Sequence, residues 1–151
     1  MQELVLGIDV CDDYSQISYY NPQVYDVENI GLTDEEGSCM IPTVICKEKG
    51  TDSWYIGEEA YRFALYGRGT MVDKLVKLAG KGGTATIEGV KYTAEDLLRI
   101  FIRQILEIPM ARLGASEIAA VVFAFQDKSS SLMETVIQVT DGMGIPRERV
   151  L

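Results

Sequence analysis

"LVLGIDVCDDYSQ", residues 4–16, decides how the rest of the chain is read. Leu4, Leu6 and Ile8 alternate with Val5, Gly7 and Asp9 in an almost wholly apolar run, the pattern of a central strand covered on both faces. At Asp12-Asp13 the chain turns. "SQISYYN" (15–21) and "QVYDVEN" (23–29) then continue as strands rich in β-branched and aromatic residues, with Asn21-Pro22 between them. Three such strands in succession make an antiparallel meander.

A chain of 151 residues, 47% of them hydrophobic, can bury one good core, as a single compact unit or as part of a larger one. Its longest apolar run, Ile118 to Phe125, is strand-sized and well short of the ~20 residues that span a bilayer, so no membrane span is expected. Met1-Gln2-Glu3 lacks the basic start of a secretory signal, and Cys11, Cys39 and Cys46 are odd in number without C-x-x-C spacing. The expectation is a reducing, cytoplasmic setting. The absence of histidine excludes imidazole triads, H-E-x-x-H metal sites and histidine proton shuttles, leaving carboxylates, lysines and hydroxyls for any chemistry.

The net charge of −9 is unevenly placed. Met1 to Cys46 carries nine acidic residues and no Lys or Arg, whereas fourteen acids balance fourteen bases thereafter. Such a field disfavours nucleic acid and anionic membranes as partners. It fits either a solvated acidic face or a site for a cation or a basic partner.

Further along, "DEEGS" (34–38) reads as a loop, and "CMIPTVICK" (39–47) as an extended segment whose Pro42 belongs at an edge or a strand start. "SWYIG" (53–57) is its hairpin partner. Two short helices follow, Glu58–Tyr66 on the spacing of Ala60, Phe63 and Ala64, and Met71–Ala79 on that of Met71, Leu75 and Leu78, the second stopped by Gly80 and Gly82-Gly83. "TATIEGVKYT" (84–93) is a hairpin about Glu88-Gly89. Thr93, with Asp96 at N3, caps a long helix whose stripe is Leu97, Leu98, Phe101, Ile102, Ile105 and Leu106, and Pro109 is expected to kink or break it. "EIAAVVFAF" (117–125) is a second buried strand, Ser131 with Glu134 forms the capping box of a helix reaching about Gly142 or Gly144, and "RVL" (149–151) begins another strand.

That order of elements resembles the actin-like ATPase superfamily, specifically the N-terminal half-lobe of the seventy-kilodalton heat-shock chaperones and bacterial actin relatives. "GIDVCDDYS" (7–15) is similar to the family's first phosphate motif. "IPTVICKEKGTDSWYIGEEAYRFA" (41–64) resembles its proline-started strand, turn and Ile-Gly-x-x-Ala helix start. "GTMVDKLVKLAG" (69–80) is similar to the segment carrying the catalytic lysine, "YTAEDLLRIFIRQILE" (92–107) to the helix leaving the inserted lobe, and residues 118–151 to the strand and helix before the second half-lobe. The resemblance implies an α/β, ribonuclease-H-like mixed sheet with an inserted smaller lobe of β-hairpins and helices, in an incomplete domain. Residues 1–37 and 110–151 would form the core sheet part and 38–109 the inserted lobe and connecting helix, with Leu4–Val10 and Ile118–Phe125 as neighbouring strands.

The resemblance further implies ATP and Mg²⁺ as cofactors of the complete protein, with a nucleotide and a protein as partners. Self-association of the parent is an implication of its filament-forming branch. The family's second phosphate loop and adenosine motif have no counterpart in these residues, so the chain itself is expected to hydrolyse no ATP. Gly7, Asp9, Cys11, Asp12, Asp13 and Tyr14 fall at the cofactor-binding positions, Asp9 at the magnesium position, and Lys74 or Lys77 at that of the catalytic lysine.

The residues themselves leave alternatives open. Asp9 either holds hydrated Mg²⁺ through water or caps the turn through backbone N–H groups. Cys11 stands where the family has a glycine, and Asp12 and Asp13 stand where it has hydroxyl donors. Facing inward, each carboxylate would cost a phosphate about 6 Å away roughly 3 kcal/mol at an effective dielectric of ~20; facing outward, both only shape the hairpin. D-x-x-D-D is also a weak divalent-ion pattern. Lys74 and Lys77 at i and i+3 share a helix face, as two merely solvated lysines also would. Tyr14, Tyr19, Tyr20 and Tyr25 read as strand packing rather than a base-stacking platform, because no basic groove accompanies them. Three functional classes follow: an ATP-dependent switch, a degenerate relative serving as a protein-interaction scaffold, and a sugar- or acetate-kinase-type phosphotransferase. "IPTVI" and "IGEEA" favour the chaperone-like branch over the kinases.

Overall fold

The structure, a computed structural model, describes residues 3–35, 38–125 and 130–151. It is a mixed α/β fold. Strands β1 (Glu3–Val10), β2 (Tyr14–Asn21) and β3 (Asp26–Ile30) form the antiparallel meander, and β4 (Ile41–Pro42) pairs with the start of β2, which places Pro42 at an edge. β5 (Ile45–Glu48), β6 (Trp54–Ile56) and β7 (Gly69–Val72) make a second, antiparallel sheet in the order β6-β5-β7. Helix α1 (Gly57–Leu65) connects β6 to β7, helix α2 (Leu75–Gly80) follows, and β8 (Thr84–Ile87) with β9 (Val90–Thr93) is a separate hairpin. Helix α3 (Ala94–Leu113) leads to β10 (Glu117–Phe125), which pairs in parallel with β1, and helix α4 (Ser130–Gly142) and a single 3₁₀ turn (Arg147–Arg149) follow. The C-terminal residues run parallel to the outer side of β10, with Leu151 N–H donating to Val121 O (2.9 Å) and Phe123 N–H to Leu151 O (2.7 Å). No helix among the described residues is long and apolar enough to cross a membrane.

One core unites the sheet and the two long helices. Leu4, Leu6, Ile8 and Val10 of β1 join Leu97, Leu98, Phe101, Ile102, Ile105 and Leu106 of α3 and Leu132, Val136 and Val139 of α4. Thr93 caps α3 by accepting the Asp96 N–H (3.1 Å).

The structure departs from the sequence reading in five places. β1 is covered on one face only: its even-numbered residues are buried while Val5 is 47% exposed, because α3 and α4 share the face that holds the core. β3 starts at Asp26 rather than Gln23, since Asn21 Oδ1 accepts the Gln23 N–H (3.0 Å) and turns the chain before pairing begins. Met71 and Val72 are strand residues paired with Cys46 and Ile45, so long-range pairing overrides their helical spacing and shortens α2 to Leu75–Gly80. Pro109 does not break α3, which runs through it to Leu113; Pro109 is buried, and the apolar stripe on that helix outweighs the one lost N–H bond. α4 already includes Ser130, so Ser131 sits inside the first turn instead of capping it, and the cap position lies outside the described residues. Glu36 and Gly37 of the expected 34–38 loop also lie outside them.

In the segment from β5 to β9, called the lobe below, Glu88 (φ 50°) and Gly89 (φ 78°) form the two left-handed positions of a tight hairpin turn. The Glu88 carboxylate accepts from Lys47 Nζ (2.7 Å) and Gly50 N–H (2.9 Å), tying β8–β9 to β5. Lys47 holds Glu88 below the usual carboxylate range, and Glu88 in turn raises Lys47. The stabilisation from Glu88 is therefore present above its ordinary titration range and is lost as pH falls through the depressed value.

The Ile-Gly start of α1 has a physical reason. Gly57 has φ 63°, and a Cβ built on it would lie 2.6 Å from Leu32 Cδ1 and 3.2 Å from Ile41 Cγ2. Gly57→Ala is expected to cost about 2–3 kcal/mol in chemical denaturation, adding a clash to backbone strain, against about 1 kcal/mol for Gly89→Ala, where nothing lies within 4 Å. Equal costs would show that the close approach at Gly57 carries no weight.

Candidate functional site

Every sequence-predicted site residue lies on β1, on the β1–β2 hairpin or at the start of α2. Asp9, next to last in β1, is exposed, and the hairpin closes through Cys11 N–H donating to Tyr14 O (3.2 Å). Cys11 Sγ donates to Asp9 Oδ1 at 3.4 Å. Burial raises the Cys11 thiol first, and its hydrogen bond to Asp9 and the charges of Asp9, Asp12 and Asp13 raise it further. A thiol so surrounded stays protonated at neutral pH and is a poor nucleophile.

The acidic turn points at the lobe. Asp12 Oδ1 accepts the backbone N–H of Lys77 at 3.0 Å, across 65 residues of chain. Lys77 is the third residue of α2, whose cap position is Lys74 in the left-handed region (φ 52°, ψ 40°) with no side-chain cap of its own. Asp12 thus supplies from a distance the acceptor that a local Ser, Thr, Asn or Asp usually provides. Asp13 pairs with Lys74 Nζ, which raises the Lys74 amine. This pair is open to water, at 51% and 73% side-chain exposure, so solvent screening keeps its contribution small.

Behind the turn, the hairpin is fixed to the lobe by Thr43. Its N–H donates to Asp13 O (3.1 Å), and its hydroxyl pairs with that of Ser15 at 2.7 Å in a fully buried contact. Together these residues frame a cleft of about 180 Å³ lined by Asp12, Asp13, Tyr14, Tyr61, Asp73 and Lys74. A second hollow of about 440 Å³ adjoins it at Lys74 and continues past Lys77 and Lys81.

Lys74 and Lys77 do not share a helix face, because Lys74 lies outside α2 and only its side chain engages the turn; Lys77 meets it through backbone. Gly7 stands apart from the cleft: the Ser18 hydroxyl donates to the Gly7 carbonyl (3.3 Å), and a Cβ on Gly7 would meet the Ser18 hydroxyl oxygen at 2.6 Å. Among the described residues no three His, Cys, Asp or Glu side chains group as metal ligands, so Asp9, Asp12 and Asp13 do not converge as D-x-x-D-D suggested. Asp73 and Tyr61 were missed by sequence reasoning. Nothing local marks either, and only the fold of the lobe brings them to the turn.

Removing the distant cap has a measurable consequence. Asp12→Ala should destabilise the chain by about 1 kcal/mol, whereas Asp12→Asn keeps an acceptor and most of the stability, and Asp13→Ala changes little. Urea unfolding of the three variants separates these outcomes; a harmless Asp12→Ala would mean that the cap does not hold α2.

Residues 26–151 match the C-terminal part of a family of unknown function, DUF5716. No curated protein matches the chain. The match takes in β3, the whole lobe, α3, β10 and α4, and the chain therefore belongs to the DUF5716 family through its C-terminal domain.

Proposed function

We propose that this chain is the N-terminal half-lobe of an actin-like, chaperone-like domain whose phosphate hairpin has been turned to structural use, and that it serves as a protein-interaction scaffold with weak or lost Mg²⁺-ATP binding. The element order supports the fold: a meander, a lobe inserted before a long helix, then a strand parallel to the first. The observation that carries the function is the engagement of Asp12 and Asp13 with α2 and Lys74.

The residues at the turn do not fit a triphosphate. A phosphate needs donors, yet the Cys11 amide is committed to Tyr14 O, the Lys74 amine to Asp13, and two carboxylates stand where hydroxyls would donate. Asp13 meets the lysine as a phosphate oxygen would. A second reading, an ATP-dependent switch in the complete protein, is favoured by one feature: the Asp9 carboxylate is exposed on β1 beside the turn, and a hydrated magnesium ion takes one or two carboxylates.

Calorimetric titration of Mg²⁺-ATP tests the proposal. The chain should bind at millimolar levels or not detectably, and a clean low-micromolar isotherm would overturn the scaffold reading. In the full-length protein, Asp12→Thr/Asp13→Thr keeps a cap acceptor, frees Lys74 and removes two negative charges. The unscreened ceiling of roughly 3 kcal/mol per carboxylate is discounted for exposure. Affinity should still rise about tenfold, and unchanged affinity would mean that the carboxylates are not what excludes phosphate.

A further inference from the structure

The hollow of about 440 Å³ beside the cleft is walled by one short stretch of the lobe, residues 70–86, between β7, α2 and β8. Helix α2 sends Leu75, Val76 and Ala79 into the core, which leaves Lys77 and Lys81, one turn apart, on the hollow. Met71, Val72, Leu78 and Ala85, all half-buried, make up its apolar lining. A concave site of this size, mostly apolar with a few polar groups at its edge, is the usual form of a binding site.

Charge says what fills it. Two ion pairs already occupy the border, Lys74 with Asp13 and Lys47, the register partner of Thr70, with Glu88. Among the lining residues and their register partners that leaves Lys77, Lys81 and Lys91 as bases, against Asp73. Asp12 also lies close, with one carboxylate oxygen taken up by the Lys77 amide. Among the described residues no carboxylate forms an ion pair with Lys77 or Lys81. Both lysines are exposed, so each holds a single small anion weakly in water, and an occupant must offer several negative charges together with an apolar group to bury.

We propose that this hollow docks an acidic, extended segment of a partner protein that carries one aromatic or aliphatic anchor. Lys77 and Lys81 stand about 6 Å apart along the helix axis, and alternate residues of an extended chain are about 6.8 Å apart, so acids two positions apart can meet both lysines. The anchor, on the same face of the segment, enters among Met71, Val72, Leu78 and Ala85. The inference deepens the interaction reading above and rests on it for its purpose, but the two fail separately. Tight Mg²⁺-ATP binding would sink the scaffold reading and leave the hollow untouched, whereas loss of peptide discrimination would sink the hollow with ATP still unbound.

The probe is a fluorescein-labelled peptide with a central Phe flanked on each side by two Glu at alternate positions, spaced by Ser, and followed by fluorescence anisotropy on the chain and on the full-length protein. It should bind at least about tenfold more tightly than a twin with Lys for Glu and than a twin with Ser for Phe, and weaken with added salt. Lys77→Glu/Lys81→Glu should lose at least about tenfold in affinity with circular dichroism unchanged, and Lys77→Arg/Lys81→Arg should retain binding. The peptide twins test the same claim on the unmodified protein, should the charge reversal disturb folding. Equal binding of the acidic peptide and either twin, no binding of the acidic peptide, or indifference to the charge reversal would overturn the proposal. Binding by the chain but not by the full-length protein would overturn it too, by giving the hollow to another part of the same protein. So would a dimer in sedimentation velocity that the charge reversal abolishes, since the acidic first 46 residues of a second copy would then be the occupant.

Discussion

Asp12 accepts a hydrogen bond from the Lys77 amide, and through it the first hairpin of the core sheet holds the start of α2. The helix has no cap of its own, since Lys74 occupies the cap position in a left-handed conformation and offers no acceptor. The first-turn amides of a helix need partners, and a carboxylate is well suited to them because it also meets the positive end of the helix dipole. Around this bond the neighbouring contacts fall into order. Thr43 fixes the hairpin from behind, Asp13 pairs with the side chain of Lys74, and the cleft between sheet and lobe takes its shape from the three.

The same bond bears on function. A turn given over to capping a helix and pairing a lysine has little left to offer a phosphate, and burial, with the turn's acidity added, raises the neighbouring Cys11 thiol instead of activating it. Under the actin-like reading proposed above, a carboxylate meets the lysine that the family gives to the nucleotide. The first 46 residues carry acid without base, and Val5, Tyr20, Val27 and Val122 stand exposed on the sheet among the described residues.

Much of this was legible locally. The apolar stripe of α3 from Leu97 to Leu106, its Thr93 cap and the turn at Glu88-Gly89 follow from residues within a few positions of one another, and all are present as the spacing predicts. What could not be read depends on distant partners. Met71 and Val72 have helical spacing, yet pairing with β5 makes them strand. The apolar continuity of β1 suggested cover on both faces, because a hydrophobic residue looks the same in sequence whether or not a helix lies over it. Asp12, Asp13, Tyr14 and Lys74 line one cleft while Gly7 stands apart from it, and the link from Asp12 to Lys77 is a tertiary cap with no local signature.

Hydrogen exchange at the Lys77 amide, followed by NMR in the wild-type chain and in Asp12→Ala, tests the central claim most directly. The account predicts that this amide is protected in the wild type and loses at least about tenfold of its protection in the variant, while amides in the middle of α3 are unaffected. A Lys77 amide that exchanges freely in the wild type, or equally slowly in both proteins, would contradict it.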